Sequence, residues 1–128
     1  MSCIIFTNNP LIKDVFSSTY EIQFCEKDYI GVLETVRDKI HLGHILLSHP
    51  LAGSIKPNET PYRTILISKN KKNLDYNSLS IIESAITTAR KFMENKMTPN
   101  WTDIALLDFQ TVDFSLIEGI LNNMTNFE

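Results

Sequence analysis

A proline-rich segment lies in the middle of the chain and limits what can be built around it. Three of the five prolines, Pro50, Pro57 and Pro61, fall between Ser48 and Arg63. Proline lacks an N–H donor and clashes with the preceding helical turn, so neither a helix nor a central strand can run through these residues. Long irregular connections are uncommon in small domains, and ordered ones are often binding loops. The sequence therefore predicts a shaped loop at residues 48–63, the proline-rich loop, and places the candidate chemistry there.

All three histidines lie just before or inside this loop. His41, His44 and His49 fall within nine residues. On a continuous helix, the spacing of His41 and His44 would put both side chains on one face, as a metal site requires. Gly43 interrupts that helix, and no nearby cysteine completes a zinc set. We therefore predict no metal site and no cofactor, with His41 at a helix C-terminus and His49 as a loop side chain.

Length, composition and charge indicate one ordinary globular domain. The chain has 128 residues, of which 43% are hydrophobic and 21% are charged, so a single domain spanning residues 1–128 can bury its own core. Twelve Lys plus Arg against fifteen Asp plus Glu give a formal net charge of −3. This balance disfavours nucleic-acid binding. The apolar runs are too short to span a membrane and the N-terminus lacks a basic signal-peptide region, so we expect a cytoplasmic protein.

The two cysteines do not indicate redox chemistry. Cys3 and Cys25 sit in apolar surroundings, outside any CxxC pair. Such thiols behave as small buried hydrophobic groups. We predict that both are reduced.

Apolar periodicity predicts alternating strands and helices in the first half of the chain. The expected elements are a strand at Cys3 to Phe6, a helix at Leu11 to Ser17 capped by Asn8 or Asn9, a strand at residues 20–24, and a helix that begins after Asp28 and ends near Gly43.

Two further strands are expected on either side of the proline-rich loop, at Ile45 to Leu47 and Thr64 to Ile67. A long amphipathic helix follows, starting at a capping box from Ser80 to Glu83 or earlier, at Asn77 or Ser78. The apolar stretch from Trp101 to Phe109 is ambiguous between helix and strand. Asp113 is the expected N-cap of a last helix, so the C-terminal part is predicted to hold two short helices.

This order of elements predicts an α/β fold. We expect a small, open, mostly parallel or mixed four- to five-stranded sheet flanked by helices. Helical crossovers favour parallel placement of the first three strands, whereas the loop before the fourth permits an antiparallel edge.

Two segments follow predicted strands and carry polar side chains: the turn from Thr7 to Pro10, and the proline-rich loop. In open α/β sheets, ligands bind beyond the carboxyl ends of parallel strands. Hydroxyl, amide and cationic donors suit an anion. We therefore predict that both segments converge on one concave surface that binds a small carboxylate, phosphate or acyl phosphate. The candidate ligand-binding residues are Asn8, Asn9, His49, Ser54, Lys56, Asn58, Thr60 and Arg63.

Structural and catalytic interpretations of the same residues stay open. Asn8 and Asn9 also suit an ordinary turn and helix cap, and Arg63 could brace the loop by pairing with Glu59. Ser54 could act as a nucleophile with His49 as its base, which would make the chain a small hydrolase or acyl-transfer enzyme. No GxSxG elbow surrounds Ser54, so binding is favoured over catalysis.

Several stretches of the chain also match a known pattern. They are TNNP at residues 7–10, VRDKIHLGHILLSHPLAGSIKPNETPYRTI at 36–65 and SLSIIESAI at 78–86, with a looser match at the DFQ of 108–110. Together they resemble the GrdX family, small proteins encoded beside glycine, sarcosine or betaine reductase components in amino-acid-fermenting anaerobic bacteria. The resemblance implies an accessory or regulatory protein of Stickland-type amino-acid reduction. It further implies that the proline-rich loop binds a small anionic metabolite or a reductase component.

Overall fold

A three-stranded sheet forms the centre of the fold in the computed structural model, which describes residues 3–126. Strand β1 lies in the middle, with β2 parallel to it on one side and β3 antiparallel on the other. The α/β class and the open mixed sheet are confirmed, but the described residues form three strands and not four or five. The elements are β1 (Cys3–Thr7), α1 (Pro10–Phe16), β2 (Glu21–Phe24), α2 (Tyr29–His41), β3 (Thr64–Ser68), α3 (Tyr76–Asn95) and α4 (Asp103–Asn126).

Residues 45–47, expected to form a strand, run beside β3 without becoming one. Leu46 makes an isolated antiparallel bridge to β3. Beside this bridge, side-chain hydroxyls take up the backbone donors that would extend the ladder: Ile45 N donates to Ser68 Oγ at 2.9 Å, and Leu66 N donates to Ser48 Oγ at 2.9 Å. Since these N–H groups are satisfied by side chains, the ladder does not extend, and the predicted strand is wrong beyond one bridge.

The first two helices begin at predicted caps, whereas α3 begins earlier than expected. Asn9 caps α1 by accepting from Leu11 N at 3.0 Å, and Asp28 caps α2 by accepting from Gly31 N at 2.8 Å. Helix α3 is capped by Asp75, which accepts from Ser78 N. The Asp75 carboxylate thus pairs a free N–H of the first turn, and α3 has already begun before residues 80–83. The predicted capping box at residues 80–83 is wrong.

Helix α4 is one continuous helix of 24 residues and not two short ones. Thr102 begins it, since its Oγ1 accepts from Ala105 N at 3.2 Å. Asp113 lies inside this helix and is not its N-cap. It occupies the same stripe as the buried Ile117 and Leu121, four and eight residues further on.

The sheet separates two hydrophobic clusters. Alternate residues of a strand point to opposite faces, so Phe6 of β1 joins the cluster that contains α2 and α3, while Ile5 joins Ile12 of α1 and Ile117 of α4. Both cysteines are buried, as predicted. Among the described residues, no helix is long and apolar enough to cross a membrane.

Replacing Ile117 with alanine should destabilise the protein by about 2–5 kcal/mol, because the cavity left behind cannot fully collapse. Ile117 is 1% exposed and anchors α4 against the sheet. Ile104→Ala is the matched control on the same helix: its side chain is 75% exposed, so the free energy of unfolding should change by no more than about 0.5 kcal/mol. Urea unfolding of both variants measures the difference. Equal losses would contradict the orientation of α4.

Candidate functional site

The turn after β1 and the proline-rich loop meet at Asn8. Its Oδ1 accepts from Arg63 N at 2.8 Å, and its Nδ2 donates to Pro61 O at 2.9 Å and to Lys27 O at 3.0 Å. Lys27 lies just beyond β2. One amide thus joins the carboxyl ends of the two parallel strands to the end of the loop. The turn and the end of the loop are therefore in contact, and the Asn8 side chain holds them together.

A buried carboxylate, Asp113 of α4, collects hydrogen bonds from the same end of the sheet. Its Oδ2 accepts from Asn9 Nδ2 at 3.0 Å and from Thr64 Oγ1 at 2.6 Å. Its Oδ1 lies 3.4 Å from Arg63 Nη2. Asp113 is 6% exposed and Arg63 is 4% exposed. We call these four residues the Asp113 cluster.

A second threonine extends the cluster along the sheet. Thr7 and Thr64 are paired across β1 and β3, with their hydroxyl oxygens 2.6 Å apart. The single hydroxyl hydrogen of Thr64 goes to Asp113, so Thr7 must donate to Thr64, and Thr7 Oγ1 in turn accepts from Asn9 N at 3.0 Å. In this series of hydrogen bonds each group donates in the direction of Asp113. This direction is required because a carboxylate can only accept hydrogen bonds.

The guanidinium of Arg63 is buried but incompletely paired. Nη1 donates to Ala52 O at 2.9 Å and to the Tyr29 hydroxyl at 3.3 Å, while the contact from Nη2 to Asp113, at 3.4 Å, is longer than the 2.7–2.9 Å usual between charged partners. Buried Nε has no hydrogen-bond partner among the described residues. The predicted pairing with Glu59 is wrong, because Asp113 reaches the guanidinium from α4 while Glu59 is exposed.

Burial raises the pKa of the Tyr29 hydroxyl above its usual value. The positive charge of Arg63 and its hydrogen bond oppose this effect, and the negative charge of Asp113 adds to it. Because burial is the largest influence, Tyr29 is held as a neutral phenol that accepts from Arg63.

Beside this cluster lies a cavity of about 170 Å³ between the proline-rich loop and α4. We call it the loop–α4 cavity. Arg63 and Asp113 form its charged wall, and the exposed Gly53, Ser54 and Val112 place its mouth at the surface. The remaining lining residues are Ala52, Ile55, Thr60, Tyr62, Phe109 and Leu116.

The eight predicted ligand-binding residues do not converge on one concave surface. Ser54, Thr60 and Arg63 line the loop–α4 cavity, and Asn9 holds Asp113 in its wall. The other four are spread over three further cavities: Asn8 in one, His49 in another, and Lys56 with Asn58 in the third.

The middle of the proline-rich loop lies away from the loop–α4 cavity because hydrogen bonds hold this part of the loop at the end of α3. Asn58 is buried, and its Nδ2 donates to Lys96 O at 2.8 Å. Trp101 Nε1 donates to Glu59 O at 2.7 Å from the other side. These two bonds fix Lys56 and Asn58 beside residues 95–101, and the expected single surface is divided.

The histidines occupy three different environments. His41 is the exposed last residue of α2, and His44 is buried with Nδ1 2.7 Å from Ser68 O, which requires a proton on that nitrogen. His49 accepts from Leu51 N through Nδ1 at 3.1 Å and lines a different cavity from Ser54. Among the described residues, no group of three or more His, Cys, Asp or Glu could hold a metal ion.

Sequence reasoning missed the acid at the centre of the site. Asp113 was expected to start a helix. Its position nevertheless indicated burial, because it lies on the i, i+4, i+8 stripe of Ile117 and Leu121. An acid on such a stripe faces the interior. Thr7 and Thr64 carried no comparable signal, because their pairing depends on a strand register that a single sequence does not reveal.

A family model for GrdX-like proteins matches residues 4–122. The chain belongs to the GrdX-like protein family. The match includes the turn, the proline-rich loop and Asp113, so the whole loop–α4 cavity lies inside the family region. Membership associates this GrdX-like chain with glycine-reductase-related systems. No curated protein and no solved structure gives a significant match to the chain.

Tyr29→Phe should change how the stability of this GrdX-like chain depends on pH. A raised pKa in the folded state means that the stability contributed by Tyr29 is fully present below its unfolded value near 10, and is lost as pH rises towards the folded value. The phenylalanine variant should lose about 1 kcal/mol at pH 7, from the missing acceptor for Arg63, and should decline less steeply above about pH 10. Urea unfolding across this range measures both effects.

Tyr76→Phe is the matched control, since it removes a hydroxyl from a residue that is 76% exposed. It should reproduce the parent's decline. A Tyr29→Phe protein with the parent's slope would contradict the proposed burial of the phenol.

Proposed function

We propose that this chain is a cytoplasmic accessory or regulatory binding protein of a glycine-reductase-related system, and that its loop–α4 cavity takes a small ligand carrying a carboxylate or a similar anionic group. The observation that carries the proposal is Arg63, a buried cation in the wall of this cavity whose Nε finds no hydrogen-bond partner within residues 3–126.

The pairing of Arg63 favours an additional anionic partner. A guanidinium has five N–H donors, and the contacts to Ala52, Tyr29 and Asp113 account for three of them. Burying a charged group without complete pairing is costly, and such a group in a native site calls for a water, an ion or a ligand. The planar guanidinium matches carboxylate and phosphate oxygens well.

The size of the loop–α4 cavity favours a small ligand. Its volume is about 170 Å³, and an apolar cavity of about 150 Å³ in another protein holds benzene, with six heavy atoms. Arg63, Thr60 and Ser54 are the proposed contacts, and Asn9 positions Asp113. Asn8, His49, Lys56 and Asn58 line other cavities, and their proposed part is to shape the loop.

Binding is preferred to catalysis because the two candidate catalytic residues are separated. Ser54 lines the loop–α4 cavity, whereas His49 lines a cavity against α3 and uses Nδ1 to accept from Leu51 N. A nucleophile requires a base within hydrogen-bond reach. A hydrolase or acyl-transfer enzyme remains the alternative proposal, and it would need movement of the loop to join these residues.

A reductase component is the second proposed partner. Ile104 and Leu107 of α4 are 75% and 60% exposed. Three residues apart on a helix, they lie on the same side of α4. Exposed apolar groups of this kind occur in protein interfaces more than on isolated surfaces.

Thermal shift with small carboxylates, with and without an amino group, and with phosphate and acetyl phosphate tests the first proposal. A bound ligand at one hundred times its dissociation constant should stabilise the chain by about 2.7 kcal/mol, on the order of 10 °C in melting temperature. Val112→Trp should abolish the shift by filling the mouth of the cavity. Val15→Trp is the matched control, because Val15 is 46% exposed, Val112 is 50% exposed, and Val15 lies on α1.

If no ligand of these classes stabilises the parent, or if Val112→Trp retains the full shift, the cavity is not the binding site. Purified reductase components form the second arm of the same experiment. Association that survives Val112→Trp and is lost in Leu107→Lys would assign binding to the exposed face of α4.

A further inference from the structure

We infer that the ligand of the loop–α4 cavity is a small zwitterionic α-amino acid, with its carboxylate on Arg63 and its ammonium group on Asp113. This inference rests on the proposed function and specifies the ligand class of the same site. It follows from the unused hydrogen-bonding capacity of the two buried groups, from their opposite charges, and from the apolar residues that line the rest of the cavity.

The unused hydrogen-bonding capacity of Arg63 complements that of Asp113. Among the described residues, three contacts use three of the five N–H donors of Arg63, and Nε has no partner. Asp113 Oδ2 is occupied by Asn9 and Thr64, whereas the only hydrogen bond to Oδ1 among the described residues is the 3.4 Å contact with Arg63. A carboxylate oxygen can accept about two hydrogen bonds. Both residues line the loop–α4 cavity, so one ligand in it can present a carboxylate to Arg63 and an ammonium group to Asp113.

The charges select against ligands that carry a single charge. A simple anion on Arg63 would be placed near the negative Asp113, and a simple cation on Asp113 would be placed near the positive Arg63. Like charges at such separations repel strongly when both are removed from water. A ligand with both charges meets an opposite partner at each end and leaves the cavity neutral.

The rest of the cavity suits a short aliphatic side chain. Ile55, Phe109 and Leu116 supply apolar surface elsewhere in the lining of the cavity. Each methylene buried on such surface should tighten binding about fourfold. The volume of about 170 Å³ limits this gain, so large aromatic side chains should be excluded.

Calorimetric titration of the intact chain with alanine, propionate and ethylamine tests the inference, because the three share a two-carbon apolar part and differ in charge. Alanine should bind at least tenfold more tightly than either ligand with one charge. Glycine should bind more weakly than alanine, and tryptophan should not bind. Asp113→Asn should remove the preference for alanine over propionate, while the exposed control Asp108→Asn should keep it.

The outcomes separate this inference from the proposed function. If propionate binds as tightly as alanine and Val112→Trp abolishes both, the carboxylate site stands and the zwitterion inference is wrong. If none of the ligands binds, the zwitterion inference is wrong, and the thermal-shift test with phosphate and acetyl phosphate decides the proposed function separately. Should Asp113→Asn fail to fold, the ratio of the alanine and propionate affinities in the parent still decides.

Discussion

The Asp113 carboxylate is the group on which the arrangement of this end of the protein depends. A carboxylate that is almost fully buried is unfavourable unless hydrogen bonds replace its water. Here the donors come from the turn after β1, through Asn9, and from the start of β3, through Arg63 and Thr64. Two segments far apart in sequence must therefore sit at fixed positions beside α4 for the charge to be tolerated.

This requirement also creates the loop–α4 cavity. Arg63 is drawn inwards by Asp113 and holds the loop through Ala52 O, while Asn8 fixes the end of the same loop to the turn. The loop is thus anchored beside α4. Val112 and Leu116 of that helix line the cavity together with the loop. The cavity lies between the anchored loop and α4. Its charged wall is the ion pair of Arg63 and Asp113.

Much of the framework was predictable because its signals are local. Asp28 as a cap and β1 as a buried strand follow from residues adjacent in sequence. Features that depend on distant partners were not predictable. The hydroxyls of Ser48 and Ser68 interrupt the expected strand at residues 45–47, and the carbonyl of Lys96 draws Asn58 away from the cavity. The site followed the same rule: the loop containing Arg63 was identified, whereas its partner fifty residues later was taken for a helix cap.

The central claim is that Asp113 is the shared acceptor that holds α4, the turn and β3 together. The free energy of unfolding of Asp113→Asn, measured in urea at pH 7, tests it most directly, with Asp108→Asn on the exposed side of the same helix as the control. We expect Asp113→Asn to lose about 3–5 kcal/mol, because Arg63 is left as a buried charge without its counter-ion, and Asp108→Asn to change stability by no more than about 0.5 kcal/mol. Losses of equal size in the two variants would contradict the account.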